Sequence, residues 1–134
     1  MFTPDPKEID TVLRLNLQQK YRYFVSKVAD WGEVWGIFCQ EELVTMRDNN
    51  RRLLLPVWPA QAYAQRNLNG QWAKCTATKL TLTHFMTEIL PDMDGANMTV
   101  AMMVDSQCQT YVIAEAKSLL QDLIEACKHR SSSI

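Results

Sequence analysis

Helix-like and strand-like periodicities come in blocks along this chain of 134 residues, and that grouping most narrows its fold. Leu17, Tyr21, Phe24, Val25 and Val28 recur at the spacing of one helix face, with Gln18, Gln19, Lys20, Arg22, Ser26 and Lys27 opposite. Ile9, Val12 and Leu13 mark an earlier helical segment behind Pro6, with a break expected at Asn16. Gly32 ends the long helix. Three strand-like runs follow, Val34–Cys39, Leu43–Met46 and Leu53–Val57, with a tight turn at Asp48-Asn49-Asn50-Arg51. Pro56 marks the end or an edge position of the third run. A short helix is expected from Pro59 to Leu68. A second is capped by Thr81, carries Leu82, Phe85, Met86, Ile89 and Leu90, and stops at Pro91. Residues 71–79 carry no readable pattern. Met98–Val104 and Thr110–Ile113 read as a hairpin around Asp105-Ser106-Gln107, and a final helix buries Ala116, Leu119, Leu120, Leu123, Ile124 and Cys127. The order α, α, β, β, β, α, α, β, β, α predicts an α+β fold. Its antiparallel sheet would have about five strands, a three-stranded meander plus a C-terminal hairpin, packed with helices.

The four tryptophans stand where these elements meet. Trp31 and Trp35 bracket the first helix-to-strand junction. Trp58 lies where the third strand runs into a helix, and Trp72 follows Asn69-Gly70. Rings so placed either wedge the core together or line a pocket at the junctions.

Composition limits the class. Apolar residues make up 47% and charged residues 22%, so one domain over residues 1–134 with its own core is expected, loose at its first few residues and after about residue 130. The net charge of −1 offers no general attraction to nucleic acid or to an anionic membrane. Met1–Pro6 does not read as a secretory leader, and no run approaches the ~20 apolar residues of a membrane-spanning helix. Cys39, Cys75, Cys108 and Cys127 are widely spaced, so free thiols and a cytoplasmic location are expected.

Tyr21-Arg22-Tyr23-Phe24, Lys27-Val28-Ala29-Asp30, Glu33-Val34-Trp35-Gly36, Leu55-Pro56-Val57-Trp58-Pro59 with Ala62-Tyr63-Ala64, and Phe85 with Leu90-Pro91 form a set of segments. Together they resemble a family of short bacterial proteins, the domain-of-unknown-function family numbered 2750. The resemblance runs from about Leu17 to the end and implies a compact α+β domain. It implies no activity. Asn49-Asn50-Arg51-Arg52 and the stretch from Ala73 to Lys79 stand outside the pattern.

Candidate chemistry is sparse. His84 and His129 have helix-surface explanations beside Glu88 and Glu125, and no two cysteines are close enough in sequence to suggest zinc. No metal or other cofactor is expected. Asp92-Met93-Asp94-Gly95 lacks the ligand pattern of a calcium loop. Cys39 and Cys108, at strand ends, are the best nucleophile candidates. Arg47, Arg51 and Arg52 form a basic hairpin tip, with Arg66 a candidate to join them, and that tip would hold an anion or lie solvated. Tyr23, Trp35, Trp58 and Tyr63 form either a mixed core or a ligand or partner surface. In the partner case, alternation leaves an aromatic strand face open.

The leading expectation is a non-enzymatic interaction domain, pairing with a second copy or with another bacterial protein. A small-molecule-binding or sensor module around Trp58 and Tyr63 is the alternative. A thiol-dependent enzyme comes last.

Overall fold

The computed structural model describes residues 2–105 and 110–132. The expected turn at Ser106-Gln107, Cys108 and the end of the tail lie outside the described residues. Helix α1 (Pro6–Leu13) starts where Asp5 accepts the Glu8 N–H at 2.8 Å and Pro6 fills the first turn. The break at Asn16 is present. Asn16 and Gln19 cap each other reciprocally at 2.8 and 3.1 Å and start α2 (Leu17–Trp31). Gly32 ends α2 in the left-handed region, φ +67°, donating its N–H to the Val28 carbonyl at 2.9 Å. Lys20, expected on the solvated face, is buried with Phe24 and Val28, four and eight residues on. Phe2 is packed as well, its ring stacked on Trp31 at 5.7 Å.

The chain is α+β, its two sheets mostly antiparallel and packed with helices. The expected meander is replaced by a division. Strand β1 (Glu33–Cys39) pairs with β2 (Glu42–Leu43), whereas β3 (Met46–Arg47) pairs with β4 (Leu53–Val57). The run read as one strand, Leu43–Met46, is therefore cut in two, and its halves serve different sheets. After β4 come α3 (Gln61–Gln65), a 3-10 turn (Gly70–Trp72) and β5 (Thr76–Thr81). Strand β5 falls largely in the unreadable stretch and pairs antiparallel with β1. The first sheet is thus ordered β2-β1-β5.

Thr81 caps the next helix as expected, accepting the His84 N–H at 3.1 Å. The helix does not stop at Pro91. It runs as α4 (Leu82–His84), a π turn (Phe85–Ile89) and α5 (Leu90–Gly95). In the wider turn Leu90 donates to the Phe85 carbonyl, and Pro91 falls in the first turn of α5, where its missing N–H costs little. Strands β6 (Thr99–Asp105) and β7 (Thr110–Glu115) form the expected hairpin, and α6 (Ala116–Ser132) follows. The second sheet is ordered β3-β4-β6-β7, and β4 runs parallel to β6, with Val57 beside Met102.

The two sheets meet at one bridge. The Trp35 N–H donates to the Trp58 carbonyl at 2.7 Å, and the Trp58 N–H to the Trp35 carbonyl at 2.8 Å. Val34 and Trp35, on opposite faces of β1, are both buried, and β4 is buried on both faces from Leu54. An open aromatic strand face is therefore absent at Trp35.

Free thiols were expected throughout. Instead Cys39 and Cys75 are joined as a disulfide, with Cα atoms 4.7 Å apart. The β1–β5 register explains it. Phe38 lies opposite Thr76, so the next residues outward, Cys39 and Cys75, face each other. The pairing is invisible locally, since 36 positions separate the two.

Candidate functional site

A parallel pair of strands sends both chains out at the same end, and in open sheets ligands gather beyond such ends. Here β4 leaves at Trp58 and β6 at Val104-Asp105. Strand β6 carries a bulge just before its end. Met102 faces Val112 and Asp105 faces Thr110, so Met103 and Val104 together oppose Tyr111. Met103 takes φ +59°, a left-handed conformation for a fully buried side chain. The Val104 carbonyl receives Trp58 Nε1 at 2.8 Å and Asn67 Nδ2 at 2.9 Å. Asn67 also donates to the Tyr63 carbonyl at 3.0 Å. Those bonds let an amide and an indole N–H sit in the interior.

Beyond the bulge lies a cavity of about 330 Å³. Its walls are Trp72, Tyr111, Met46, Val104 and Thr110. Its polar groups come from Asn67, Asn69, Gln71 and Asp105. Asp105 is 2% exposed and faces Arg66, Nη2 to Oδ2 3.7 Å. Trp72 is held edge-on against the fully buried Trp58, centroids 6.5 Å apart. Lys20 reaches the cavity wall from α2, its Nζ donating to Thr110 Oγ1 at 3.4 Å. Such a hollow can hold a small molecule against two aromatic rings and offer it both hydrogen-bond donors and acceptors.

The aromatic set singled out from sequence divides into two pairs. Trp35 and Trp58 are the bridge between the sheets, and Trp35 Nε1 donates to Glu33 Oε2 at 3.2 Å. Tyr23 and Tyr63 meet edge-on with hydroxyls 2.9 Å apart. The Tyr23 hydroxyl is also hydrogen-bonded to Glu8 Oε2 at 2.6 Å. Burial raises the pKa of the Tyr23 hydroxyl well above its usual range, helped by the bonds to Glu8 and Tyr63. Burial also pushes Tyr63 up to about 12, the Tyr23 bond pulling the other way and the Glu8 charge adding to the rise. Tyr21, bonded to Asp122 of α6, is raised by burial and then by that carboxylate.

The arginines of the hairpin tip largely build the turn itself. Arg47 Nη1 donates to the Arg51 carbonyl at 2.9 Å, and Arg52 Nε to Asp48 Oδ2 at 2.7 Å. Arg51, not an asparagine, takes the positive φ of +63°. Arg66 is committed to Asp105. The Cys39 sulfur is bonded to Cys75, which removes it as a nucleophile, and Cys127 is a free, half-buried thiol on α6. Among the described residues no three His, Cys, Asp or Glu side chains gather as metal ligands.

Sequence reasoning missed Asp105, Asn67 and Lys20 as site residues, and had Trp72 only as one of four boundary rings that wedge the core or line a pocket. Asp105 looked like a turn residue and Asn67 like a helix breaker. The usable signal was an acidic side chain ending the apolar run Val100–Val104, at a position that becomes buried.

The geometry defines a class, an α+β protein with an aromatic and polar cavity beyond a parallel strand pair. Residues 21–123 match the family described as Protein of unknown function (DUF2750), and the chain belongs to that family. No curated protein matches it.

Proposed function

We propose that this chain is a non-enzymatic binding module that takes a small molecule into the cavity beyond β4 and β6. One observation carries the proposal. A hollow of about 330 Å³ lies within the size range of ligand pockets and is floored by buried polar groups, Asn67 and Asp105. Trp58, foreseen as a ligand contact, supports the wall by packing under Trp72. Trp72 is also a built-in reporter. Titration with fractionated cell extract should shift tryptophan emission saturably with one fraction, and Trp72→Phe should abolish the shift while circular dichroism stays unchanged. A flat response across every fraction rejects the module.

A separate observation favours a second reading, self-association. Strand β7 is an edge of its sheet among the described residues and carries neither proline nor lysine, the usual guards of an edge. Tyr111, Val112, Ile113 and Ala114, from both faces of the strand, line one hollow with Leu17 and Tyr21. Ile113 and Leu17 are 39% and 53% exposed. The lining bears no formal charge, which suits an identical partner about a two-fold axis. Antiparallel pairing centred on Ile113 sets Glu115 opposite Tyr111, so the strand's only charges do not meet. Sedimentation equilibrium should give twice the chain mass, falling to one chain for Ile113→Lys. A monomeric wild type rejects pairing. A heteromeric complex recovered from the host would replace it with another protein partner.

We take the setting to be a bacterial cell, following the family resemblance. No described helix is long and apolar enough to cross a membrane. The Cys39–Cys75 bridge fits an oxidising compartment better than the reducing cytoplasm expected from cysteine spacing.

A further inference from the structure

Lys20 is the most unusual charge in the molecule. It is 3% exposed, and lysine is almost never buried so completely without a counter-ion. The ion pairs among the described residues are Arg14–Asp10, Arg52–Asp48, Arg66–Asp105 and Lys128–Glu125, and Lys20 is in none of them. Its ammonium has one hydrogen-bond acceptor there, the Thr110 hydroxyl, at the long distance of 3.4 Å. An ammonium so placed loses its hydration and gains little in return. Thr110 lines the cavity and sits opposite Asp105 in the β6–β7 register. Asp105 is the charged residue of the cavity lining and is paired with Arg66, while Lys20 stands behind Thr110 with no such partner among the described residues.

We infer that the cavity binds a small carboxylate, whose negative charge answers Lys20 while its apolar body lies along Trp72 and Tyr111. The inference rests on the binding-module reading and adds the charge of the ligand to it. A carboxylate brought to Thr110 meets a dehydrated ammonium in a low-dielectric wall, where a charge-assisted hydrogen bond is strongest. A cationic ligand would have to displace Arg66 from Asp105 and still face Lys20.

The test uses three probes of one shape and different charge, 3-phenylpropionate, 3-phenylpropanol and 3-phenylpropylamine. Each is titrated calorimetrically into the wild type and into Lys20→Met. Methionine keeps the length of the stem without the charge, and replacing an uncompensated buried charge by an apolar side chain leaves the fold intact or strengthens it. The carboxylate should bind wild type about tenfold or more above the alcohol, and the amine should bind weakest. Lys20→Met should lose that preference, so that carboxylate and alcohol bind alike. The unliganded variant should melt above the wild type, and the carboxylate should raise the wild-type melting temperature only. If the alcohol or the amine binds best, the charge inference falls and the module stands. If the carboxylate preference survives in Lys20→Met, Lys20 is not its source and the inference also falls. If none of the three probes binds, both fall.

Discussion

Asn67 shows how much of this site depends on single side chains. Its amide donates to the carbonyls of Tyr63 and Val104, tying α3 to the end of β6 where the bulge turns the strand. Asn67→Leu keeps the volume and removes both donors. The Tyr63 carbonyl then loses this donor inside the protein, while the Val104 carbonyl keeps Trp58. A loss of about 1–3 kcal/mol in unfolding free energy is expected, read from the urea midpoint. Its equal in the opposite sense is Lys20, which costs the fold something where Asn67 supports it. Both residues were unreadable for the same reason. A polar side chain in a helical stretch looks solvated until the elements that cover it are known, and those elements are β6 and β7, far along the chain.

At the scale of elements, the helices were legible because their evidence is local. The stripe Phe24–Val28, the cap at Asn16 and the stop at Gly32 lie within a few residues of what they determine. Strand β5 was not, because Thr76-Ala77-Thr78-Lys79-Leu80-Thr81 has one large apolar residue, Leu80, and becomes a strand by pairing with β1 more than thirty residues away. The division of β2 from β3 was hidden likewise, since Val44 follows β2 and bonds back to the Ile37 carbonyl at 2.8 Å. The cavity inherits this illegibility, being made by a bulge and a 3-10 turn that belong to different segments. The disulfide makes the β1–β5 pairing testable. Closing a loop across 36 positions constrains the unfolded chain, so Cys39→Ala with Cys75→Ala should lower stability by about 2–4 kcal/mol in denaturant titration. Val34 should remain opposite Leu80 and Trp35 opposite Lys79, seen as preserved amide protection in β1.

Across the whole molecule, three tyrosines clamp the helices. Tyr21 joins α2 to α6, and Tyr23 links α2 to Glu8 of α1 and to Tyr63 of α3. All three have pKa values raised in the folded chain. A phenol whose folded pKa exceeds its unfolded value, about 10, holds its proton more tightly when folded. Its contribution is complete below about pH 10 and is lost as pH rises through the folded value, about 12 for Tyr63. Stability should therefore fall steeply above about pH 10, and Tyr23→Phe should flatten that fall. Denaturant midpoints taken stepwise in alkali measure it, and an unchanged slope in Tyr23→Phe would assign the fall to other groups.

The bridge between the sheets has a consequence for heredity. Trp35 and Trp58 are joined there through main-chain N–H and C=O groups alone. Every amino acid except proline carries both groups, so nearly any codon change at either position alters the rings and leaves the two bonds available. The joint that makes one body of two sheets is thus almost beyond the reach of sequence drift. Descendants of this chain can change their indoles, their cavity and whatever the cavity holds, and still inherit the same joint.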